Sequence, residues 1–390
     1  MGGVFLLLSK ISFYGTTLIL IILILVLSFK FNKKMDNNKD GKVSDEYIAS
    51  YFDGEYQNEI PGKDDGYVVD KIVCDNGATG TWDNEEWGIN IRNATKKIKC
   101  SVFFKQLSMA DQILELSATD TTNFATDDPD NNIRYIGANP NNYVYFNCSD
   151  YSNQSDSTCE KWRIIGVFKN MTKEDGSKAD LVKIIRNDFI GESKWDISDY
   201  NDWSEALLQR TLNGEYYNGT YATGALKNDT TRNAIESVVW NLGGNVHALT
   251  ASEYYADERG TTVYRGNATT WIGKIGLMYP SDYGYATSGG STADRATCMA
   301  KGLYYWDDSD VSDCKNNDYL FFKSGYEQWT LTHSSWDVRS IYYVDHIGTV
   351  TKTNALNTRG VRPVAFLKSN ILLSGVGDGS SNSPYQLKVG

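Results

Sequence analysis

The amino-acid sequence predicts an α+β fold, because helical patterns come early in the chain and short, irregular strands come late. Two stretches open as capping boxes, Ser108 with Asp111 and Thr250 with Glu253, and each is followed by apolar residues at helical spacing. The C-terminal third is instead rich in Gly, Tyr and Ser between short apolar runs, of which 361–367 is predicted as a late core strand.

Between the two capping boxes the chain mixes helices and strands. Apolar residues at i, i+3 and i+4 predict helices over 202–213 and 231–240. Apolar-rich runs predict strands at 162–168 and 181–185, joined by a turn at Gly176. This alternation supports the α+β class and a single large domain.

The composition is that of a folded, acidic protein. The chain has 390 residues, of which 41% are hydrophobic and 22% charged, and its formal net charge is −11. A surface this acidic repels phosphate backbones, so we predict no nucleic-acid partner. None of the motifs G-x-S-x-G, H-E-x-x-H or G-x-x-x-x-G-K is present. We therefore predict that the protein is not an enzyme, with no catalytic residue, no metal and no cofactor.

An uncharged apolar stretch near the N-terminus predicts a membrane anchor. Residues 11–29 carry no charge and lie between Lys10 and Lys30, which is long enough to cross a bilayer. No small-x-small cleavage site follows, which favours a retained signal-anchor over a cleaved signal peptide. The partner is thus the membrane, and the protein is predicted to be single-pass in the cell membrane. The lysines after the stretch outnumber those before it, which taken alone favours a cytoplasmic body.

The cysteines argue for the opposite orientation. Six cysteines fall in three neighbouring pairs, and none of them forms C-x-x-C. The pairs are Cys74 with Cys100, Cys148 with Cys159, and Cys298 with Cys314. Such pairs indicate disulfides in an oxidising compartment, so we predict an extracellular body; six free buried thiols remain the alternative.

Four segments follow from these patterns. Residues 1–35 form the anchor, and 36–65 are polar and read as a linker. Residues 66–105 are predicted to be a small β module with strands at 67–74, 87–92 and 100–104. So short a module buries little apolar surface, and a Cys74–Cys100 disulfide would stabilise it by about 3 kcal/mol. Residues 106–390 form the main α+β domain.

Aromatic side chains supply the candidate binding residues. The chain holds 10 Trp and 26 Tyr, clustered near positions 305, 328 and 340. Such rings combine a large contact area with a polar group, which suits recognition surfaces. We predict ligand binding by Trp306, Asp307, Trp336, Arg339 and Tyr342. The alternative is that these rings belong to the core.

Several short motifs resemble a family of domains of unknown function in envelope proteins of Gram-positive bacteria. They are the segments 132–147 (NIRYIGANPNNYVYFN), 161–168 (KWRIIGVF), 203–204 (WS), 329–332 (WTLT) and 360–363 (GVRP). The closing G-V-R-P strand and the tryptophan-led segment are similar to those of C-type-lectin-like and formylglycine-generating folds. The resemblance implies a C-type-lectin-like fold for 106–390. Segment 74–87 resembles an accessory module that precedes such domains.

The chain departs from these families at their functional motifs. The calcium and sugar triplets of true lectins, E-P-N or Q-P-D and W-N-D, are absent, so calcium-dependent sugar binding is not implied. A copper site of the formylglycine-generating type would need Cys298 and Cys314, for which a disulfide is favoured.

We therefore predict a membrane-anchored, adhesin-like protein that binds a glycan or a surface protein. One alternative is a structural subunit or spacer of a cell-envelope assembly. A second, which the sequence favours less, is a metal-dependent enzyme of the formylglycine-generating type.

Overall fold

The computed structural model describes residues 46–52, 55–63, 67–94, 97–246, 249–322 and 325–389. Those up to Gln106 form one compact unit, and those from Leu107 onward form a second. The predicted membrane anchor, 1–35, lies outside the described residues. In the part of the chain that is described, no helix has the length and apolar character needed to cross a membrane.

The first unit is a small β structure. Its described strands are β1 (Glu46–Phe52), β2 (Glu55–Gln57), β3 (Tyr67–Cys74), β4 (Thr79–Asp83), β5 (Gly88–Arg92) and β6 (Ile98–Gln106). Four of them form a sheet in the order β2-β1-β6-β3, in which β1 runs parallel to β6 and β3 antiparallel to it. Strands β4 and β5 form a separate hairpin. Strands β1 and β2 fall within the predicted linker, so the described part of that segment belongs largely to the sheet.

A disulfide and an aromatic cluster hold this unit together. Cys74 and Cys100 are directly opposite each other in the β3–β6 register, and they are joined by a disulfide. Trp82 meets the rings of Trp87 and Phe104 edge-on, with centroids 5.3 and 5.2 Å away. The three strands predicted for this module are confirmed as β3, β5 and β6.

The second unit contains most of the strands. They are β7 (Phe124–Ala125), β8 (Ile133–Tyr135), β9 (Tyr143–Phe146), β10 (Glu160–Thr172), β11 (Lys178–Arg186), β12 (Glu192–Lys194), β13 (Val238–Asn241), β14 (Thr270–Gly273), β15 (Ile275–Gly276), β16 (Gln328–His333), β17 (Ser340–Val344), β18 (Val350–Asn354), β19 (Thr358–Gly360), β20 (Val364–Leu367), β21 (Leu372–Leu373) and β22 (Leu387–Lys388). Two larger sheets and two strand pairs account for all of them.

The larger sheet is organised around β10. Its strand order is β15-β20-β11-β10-β8-β7, with β9 also paired to β10. The run from Trp162 to Phe168 is buried throughout, as expected for β-branched and aromatic residues covered on both faces. Gly166 lets β8 come close, because a Cβ atom there would lie 2.0 Å from the carbonyl oxygen of Ile133.

The second sheet has the strand order β12-β19-β16-β17-β18. Strands β16, β17 and β18 form an antiparallel meander, while β16 and β19 run parallel. Strand β16 is buried along its whole length. The remaining pairs, β13 with β14 and β21 with β22, are short antiparallel ribbons.

The described helices are short and lie between these strands. They are α1 (Met109–Ser117), α2 (Leu207–Thr211), α3 (Asp229–Ala234), α4 (Ala251–Glu258), α5 (Pro280–Tyr285) and α6 (Arg295–Ala300). The capping boxes predicted at Ser108 and Thr250 are confirmed at the starts of α1 and α4. The helix predicted over 202–213 is interrupted: a 3₁₀ turn at Trp203–Glu205 precedes α2, and a π turn at Leu212–Tyr216 follows it.

The helix predicted over 231–240 is wrong in its second half. Helix α3 ends at Ala234, and Val238 begins strand β13. Valine and tryptophan favour extended backbone, and Trp240 stands opposite Trp271 of β14. Tertiary pairing has overridden the helical spacing of the apolar residues.

The predicted fold class is also wrong. Strands make up 35% of the described residues and helices 16%, so the protein is mostly β-sheet rather than α+β. The C-type-lectin-like architecture that the resemblance implied for 106–390 is not confirmed. The error arose because short amphipathic runs that form single helical turns between strands were interpreted as full helices.

One large hydrophobic cluster forms most of the core of the second unit. It takes in both larger sheets and the helices between them, and its buried tryptophans are Trp162, Trp195, Trp203, Trp240, Trp306 and Trp329. Two disulfides close loops in this unit: one joins Cys148 to Cys159, and the other joins Cys298 to Cys314. All three predicted cysteine pairs are therefore confirmed, and no described cysteine is free.

Replacing both cysteines of the first unit, Cys74→Ser with Cys100→Ser, should lower its free energy of unfolding by about 3 kcal/mol. The bridge joins residues 26 apart and restricts the unfolded chain. Hydrogen exchange of the β3 and β6 backbone amides measures the effect. The matched control removes Cys148 and Cys159, in the second unit, and should leave that exchange unchanged. Equal β3 and β6 exchange in the first variant and the wild type would contradict the prediction.

Candidate ligand-binding surface

The hairpin loop between β16 and β17 is held by one buried asparagine. The side-chain amide of Asn201 donates to the carbonyl oxygens of Ser334, Asp337 and Ser340, at 2.9, 2.8 and 3.2 Å. The backbone N–H of Asn201 donates to the carbonyl oxygen of Val338 at 2.8 Å. Asn201 is fully buried, so these bonds form away from competing water. The loop, residues 334–339, is thereby fixed to the chain segment that precedes α2.

A second asparagine and an aspartate complete this scaffold. The amide of Asn267 donates to the side-chain oxygen of Asn201 at 2.8 Å, which ties in a third segment. Within the loop, Asp337 accepts from the backbone N–H groups of Arg339 and Ser340, at 3.0 and 2.7 Å. Such Asx turns specify a single loop conformation. The loop is therefore preorganised rather than loosely attached.

Large side chains on this scaffold face solvent. Trp336 at the loop tip is 76% exposed, and Ile197 and Tyr200, just before Asn201, are 58% and 57% exposed. Arg339 is largely exposed as well, and its Nε lies 3.3 Å from the Asp199 carboxylate. We call Ile197, Tyr200, Trp336 and Arg339 the Trp336 surface. It offers apolar ring area beside a charged donor and acceptor.

Tyr342 lies behind this surface rather than in it. Its ring is buried, packs edge-on against Tyr254 at 5.6 Å, and donates its hydroxyl to the side-chain oxygen of Asn245 at 3.2 Å. Burial raises the pKa of Tyr342 above its ordinary range. Its role here is to support the hairpin from the inside.

Trp306 and Asp307 belong to the loop closed by the Cys298–Cys314 disulfide. Trp306 is fully buried, donates its indole N–H to the carbonyl oxygen of Cys298 at 3.3 Å, and packs against Tyr283 at 5.2 Å. This burial leaves no ring face for a ligand. Asp307 is exposed beside it. Of the five predicted binding residues, the structure thus brings Trp336 and Arg339 together on one exposed loop, with Tyr342 beneath it.

Residues 197–201 were missed by the sequence reasoning. The sequence predicts a helix that begins at residue 202, and Asp202 does accept from the Ser204 backbone N–H at 3.0 Å. The one available indication in the sequence is Asn201, the residue just before the capping Asp202. A buried amide has donors and an acceptor that must all find partners, and here the partners are loop carbonyls.

A second feature that the sequence reasoning missed is a buried cluster of charges, which we call the Asp282 cluster. Asp282, in the first turn of α5, accepts from the Nζ of Lys183 on β11 and from the Nη1 of Arg134 on β8, the latter at 3.0 Å. Arg134 also binds Asp128 at 2.6 Å. All four side chains are essentially inaccessible to water.

Burial and pairing set the ionisation of this cluster. Burial lowers the pKa of Lys183 to about 8, although Asp282 opposes the shift. Burial also pushes the pKa of Asp282 upward, but Lys183 and Arg134 outweigh it, so that pKa falls below its ordinary value. Each charge is thus compensated by a neighbour of opposite sign, as buried charges require.

Glu258 lies at the edge of the same region. It ends α4, is fully buried, and accepts the backbone N–H of Ser281 at 3.0 Å together with the Ser281 hydroxyl. Burial raises its pKa to about 7, against the opposing effects of Arg259 and Ser281. A cavity of about 10 Å³, enough for one water molecule, is lined by Lys183 and Arg259 among others. Among the described residues, no group of acidic, His or Cys side chains is placed to hold a metal ion.

Comparison with known proteins adds nothing to these observations. No family model, no curated protein and no solved structure matches the chain.

His333, the last residue of β16, links the loop to the core. It is buried, and among the described residues neither of its ring nitrogens has a hydrogen-bond partner. Burial lowers its pKa from 6.5 to about 4, with Asp202 opposing the shift. Protonation of this ring therefore disfavours the folded state.

Stability should consequently fall by about 3 kcal/mol, through His333 alone, as the pH drops from 6.5 to 4. In this range the unfolded chain binds the proton more tightly than the folded protein. Glu258 contributes with the opposite sign, since its folded pKa is raised, but it does so equally in wild type and variant. The measurement is urea unfolding of wild type and His333→Gln across this range. The variant should lose about 3 kcal/mol less. His346→Gln, at an exposed histidine, is the control and should follow the wild type; parallel curves for His333→Gln would contradict the assignment.

Replacing Asn201 with alanine should release the β16–β17 loop. Losing the amide leaves buried carbonyl oxygens without donors, and we expect local opening to become easier by about 2 kcal/mol. Tryptic cleavage after Arg339, followed by mass spectrometry, should then accelerate roughly thirtyfold, since it tracks the open population. Asn357→Ala is the control, because that amide donates to the hydroxyl of Thr353 on an exposed turn and holds no loop in the described part of the chain. Unchanged cleavage after Arg339 in the Asn201 variant would refute the anchoring role.

Proposed function

We propose that this chain is a ligand-binding protein of the cell surface, and that the Trp336 surface contacts a carbohydrate. The observation that carries the proposal is the 76% exposure of Trp336 on a loop fixed from within by Asn201. A tryptophan ring that is exposed on an ordered loop provides a large, preformed contact area for a ligand.

The chemistry of the surface suits a sugar. The faces of a sugar ring carry C–H groups that pack on an aromatic ring, and its edges carry hydroxyls that both donate and accept hydrogen bonds. Trp336 and Tyr200 supply ring area, while Arg339 and Asp199 supply a donor and an acceptor 3.3 Å apart. Because the loop is already ordered, binding costs little conformational entropy.

Three disulfides support a location outside the cytoplasm. Bridges of this kind persist in oxidising compartments and are rare where thiols are kept reduced. Together with the apolar stretch at 11–29, they support a body displayed on the outer side of a membrane.

The Trp336→Ala variant should lose binding to whichever glycan retains the wild type. Full-length protein in detergent is applied to panels of glycans, mucin and peptidoglycan, and affinity is then measured on the retained ligand. Removing a tryptophan at the centre of a contact costs about 2 kcal/mol or more, or about thirtyfold in Kd. Tyr304→Ala, at a tyrosine exposed on another loop, is the matched control and should bind as the wild type does.

Two outcomes would contradict the proposal that the Trp336 surface binds a carbohydrate. One is a wild-type protein that none of the panels retains. The other is a retained ligand whose affinity is the same for the wild type and the Trp336→Ala variant.

A further inference from the structure

The contact between Lys183 and Asp282 joins two distant parts of the chain in the core of the second unit. The residues are 99 positions apart, on β11 and α5, and the Lys183 amine donates directly to the Asp282 carboxylate. Their side chains are 0% and 1% exposed. An amine and a carboxyl group are therefore held in contact where bulk water is absent.

The surroundings of the amine are aromatic. Its nitrogen lies 4.5 Å from the ring centroid of Tyr279, 5.0 Å from that of Phe168, 5.5 Å from that of Phe366 and 5.7 Å from that of Trp240. Such walls fix the position of the lysine side chain and keep water away. Burial among them favours an uncharged amine, which is the nucleophilic form, against the attraction of the ring faces for a cation.

The carboxyl group of Asp282 also accepts hydrogen bonds from groups other than Lys183. Oδ1 of Asp282 accepts from Arg134 at 3.0 Å, and Oδ2 accepts from the backbone N–H of Tyr279 at 2.9 Å. A donor on Oδ1 draws electron density from the carboxyl carbon and would stabilise negative charge on that oxygen during attack. The amine, meanwhile, sits on the side of Oδ2.

The cluster can lose the charges of Lys183 and Asp282 together without becoming unbalanced. Lys183 and Asp282 contribute one positive and one negative charge, and Arg134 remains bound to Asp128 at 2.6 Å without them. Two buried ions that become one neutral group no longer carry a desolvation penalty. Neutralising the pair thus leaves no orphaned charge.

We propose that the Lys183 amine and the Asp282 carboxyl group condense in the folded protein to form an intramolecular amide bond. The Lys183 nitrogen attacks the carboxyl carbon, a C–N bond forms, and the bond from that carbon to Oδ2 breaks. Oδ2 leaves as water with two protons from the ammonium group. No oxidant, reductant or activated donor is needed, and the atoms and charges balance.

The surroundings of Lys183 and Asp282 favour formation of the amide bond. Contact in a fixed geometry replaces a bimolecular encounter and its entropy cost. Arg134 and the backbone N–H of Tyr279 hold the carboxyl group in place during the attack. The cavity of about 10 Å³ beside Lys183 has room for the single water released.

Intact mass spectrometry of the purified full-length protein, without reduction, tests the proposal. The expected mass is that of the chain less six hydrogens for its three disulfides and less one water molecule. Proteolysis and fragmentation should then yield a branched peptide that joins Lys183 to Asp282. The mass of the Lys183→Met variant should be that of its chain less six hydrogens, with no water molecule missing. Lys161 and Asp156, an exposed pair at 3.0 Å, provide an internal control and should appear in separate peptides.

The mass of the wild-type protein tests the proposed amide bond even if the Lys183→Met variant fails to fold. A wild-type protein that lacks only six hydrogens overturns the proposal. So does a missing water that fragmentation maps elsewhere, such as a succinimide at Asp175-Gly176. The result is independent of ligand binding, because the Trp336 surface plays no part in the reaction.

Discussion

The carboxylate of Asp282 is the point on which the second unit depends. It receives Lys183 from β11, Arg134 from β8 and the backbone N–H that opens α5, so one side chain joins two strands of the larger sheet to a helix packed on it. Breaking a buried pair by removing one partner costs about 3–5 kcal/mol, since the other charge is left uncompensated. Neighbouring apolar residues tolerate small changes of shape, whereas this group requires all of its partners at once. Its geometry therefore constrains how β8, β11 and α5 can be arranged.

The arrangement of the larger sheet follows from a few local properties. A run of β-branched and aromatic residues makes β10 a strand that can be buried on both faces, and Gly166 allows β8 to approach it closely. The apolar run was visible in the sequence, and the strands predicted at 162–168 and 181–185 are confirmed as parts of β10 and β11. The role of Gly166 became clear only from the structure. The cysteine pairs were predictable for a related reason: each pair is close in sequence. The class was not predictable in this way, because Val238 and Val239 satisfy helical spacing until their pairing with β14 is known.

The candidate site shows a different limit. Trp306 and Trp336 stand in similar aromatic clusters in the sequence, yet one is fully buried and the other is 76% exposed. Local composition does not distinguish them, since exposure depends on which chain segments cover each ring. Asn201 and Lys183 were missed for the same reason. Their partners lie 133 and 99 residues away, and a polar residue acquires its role only when the fold brings such partners to it.

The parallel pairing of β1 with β6 has a mechanical consequence for the first unit. Glu46 stands opposite Ile98 and Tyr51 opposite Phe103, so both strands begin at one end of the sheet. The first described residue of the unit stands at the start of β1 and the last at the end of β6, at opposite ends of the sheet. Tension along the chain therefore pulls these two strands lengthwise past each other. It loads their hydrogen bonds together instead of opening them one after another, which is the geometry in which a β-sheet best resists stretching.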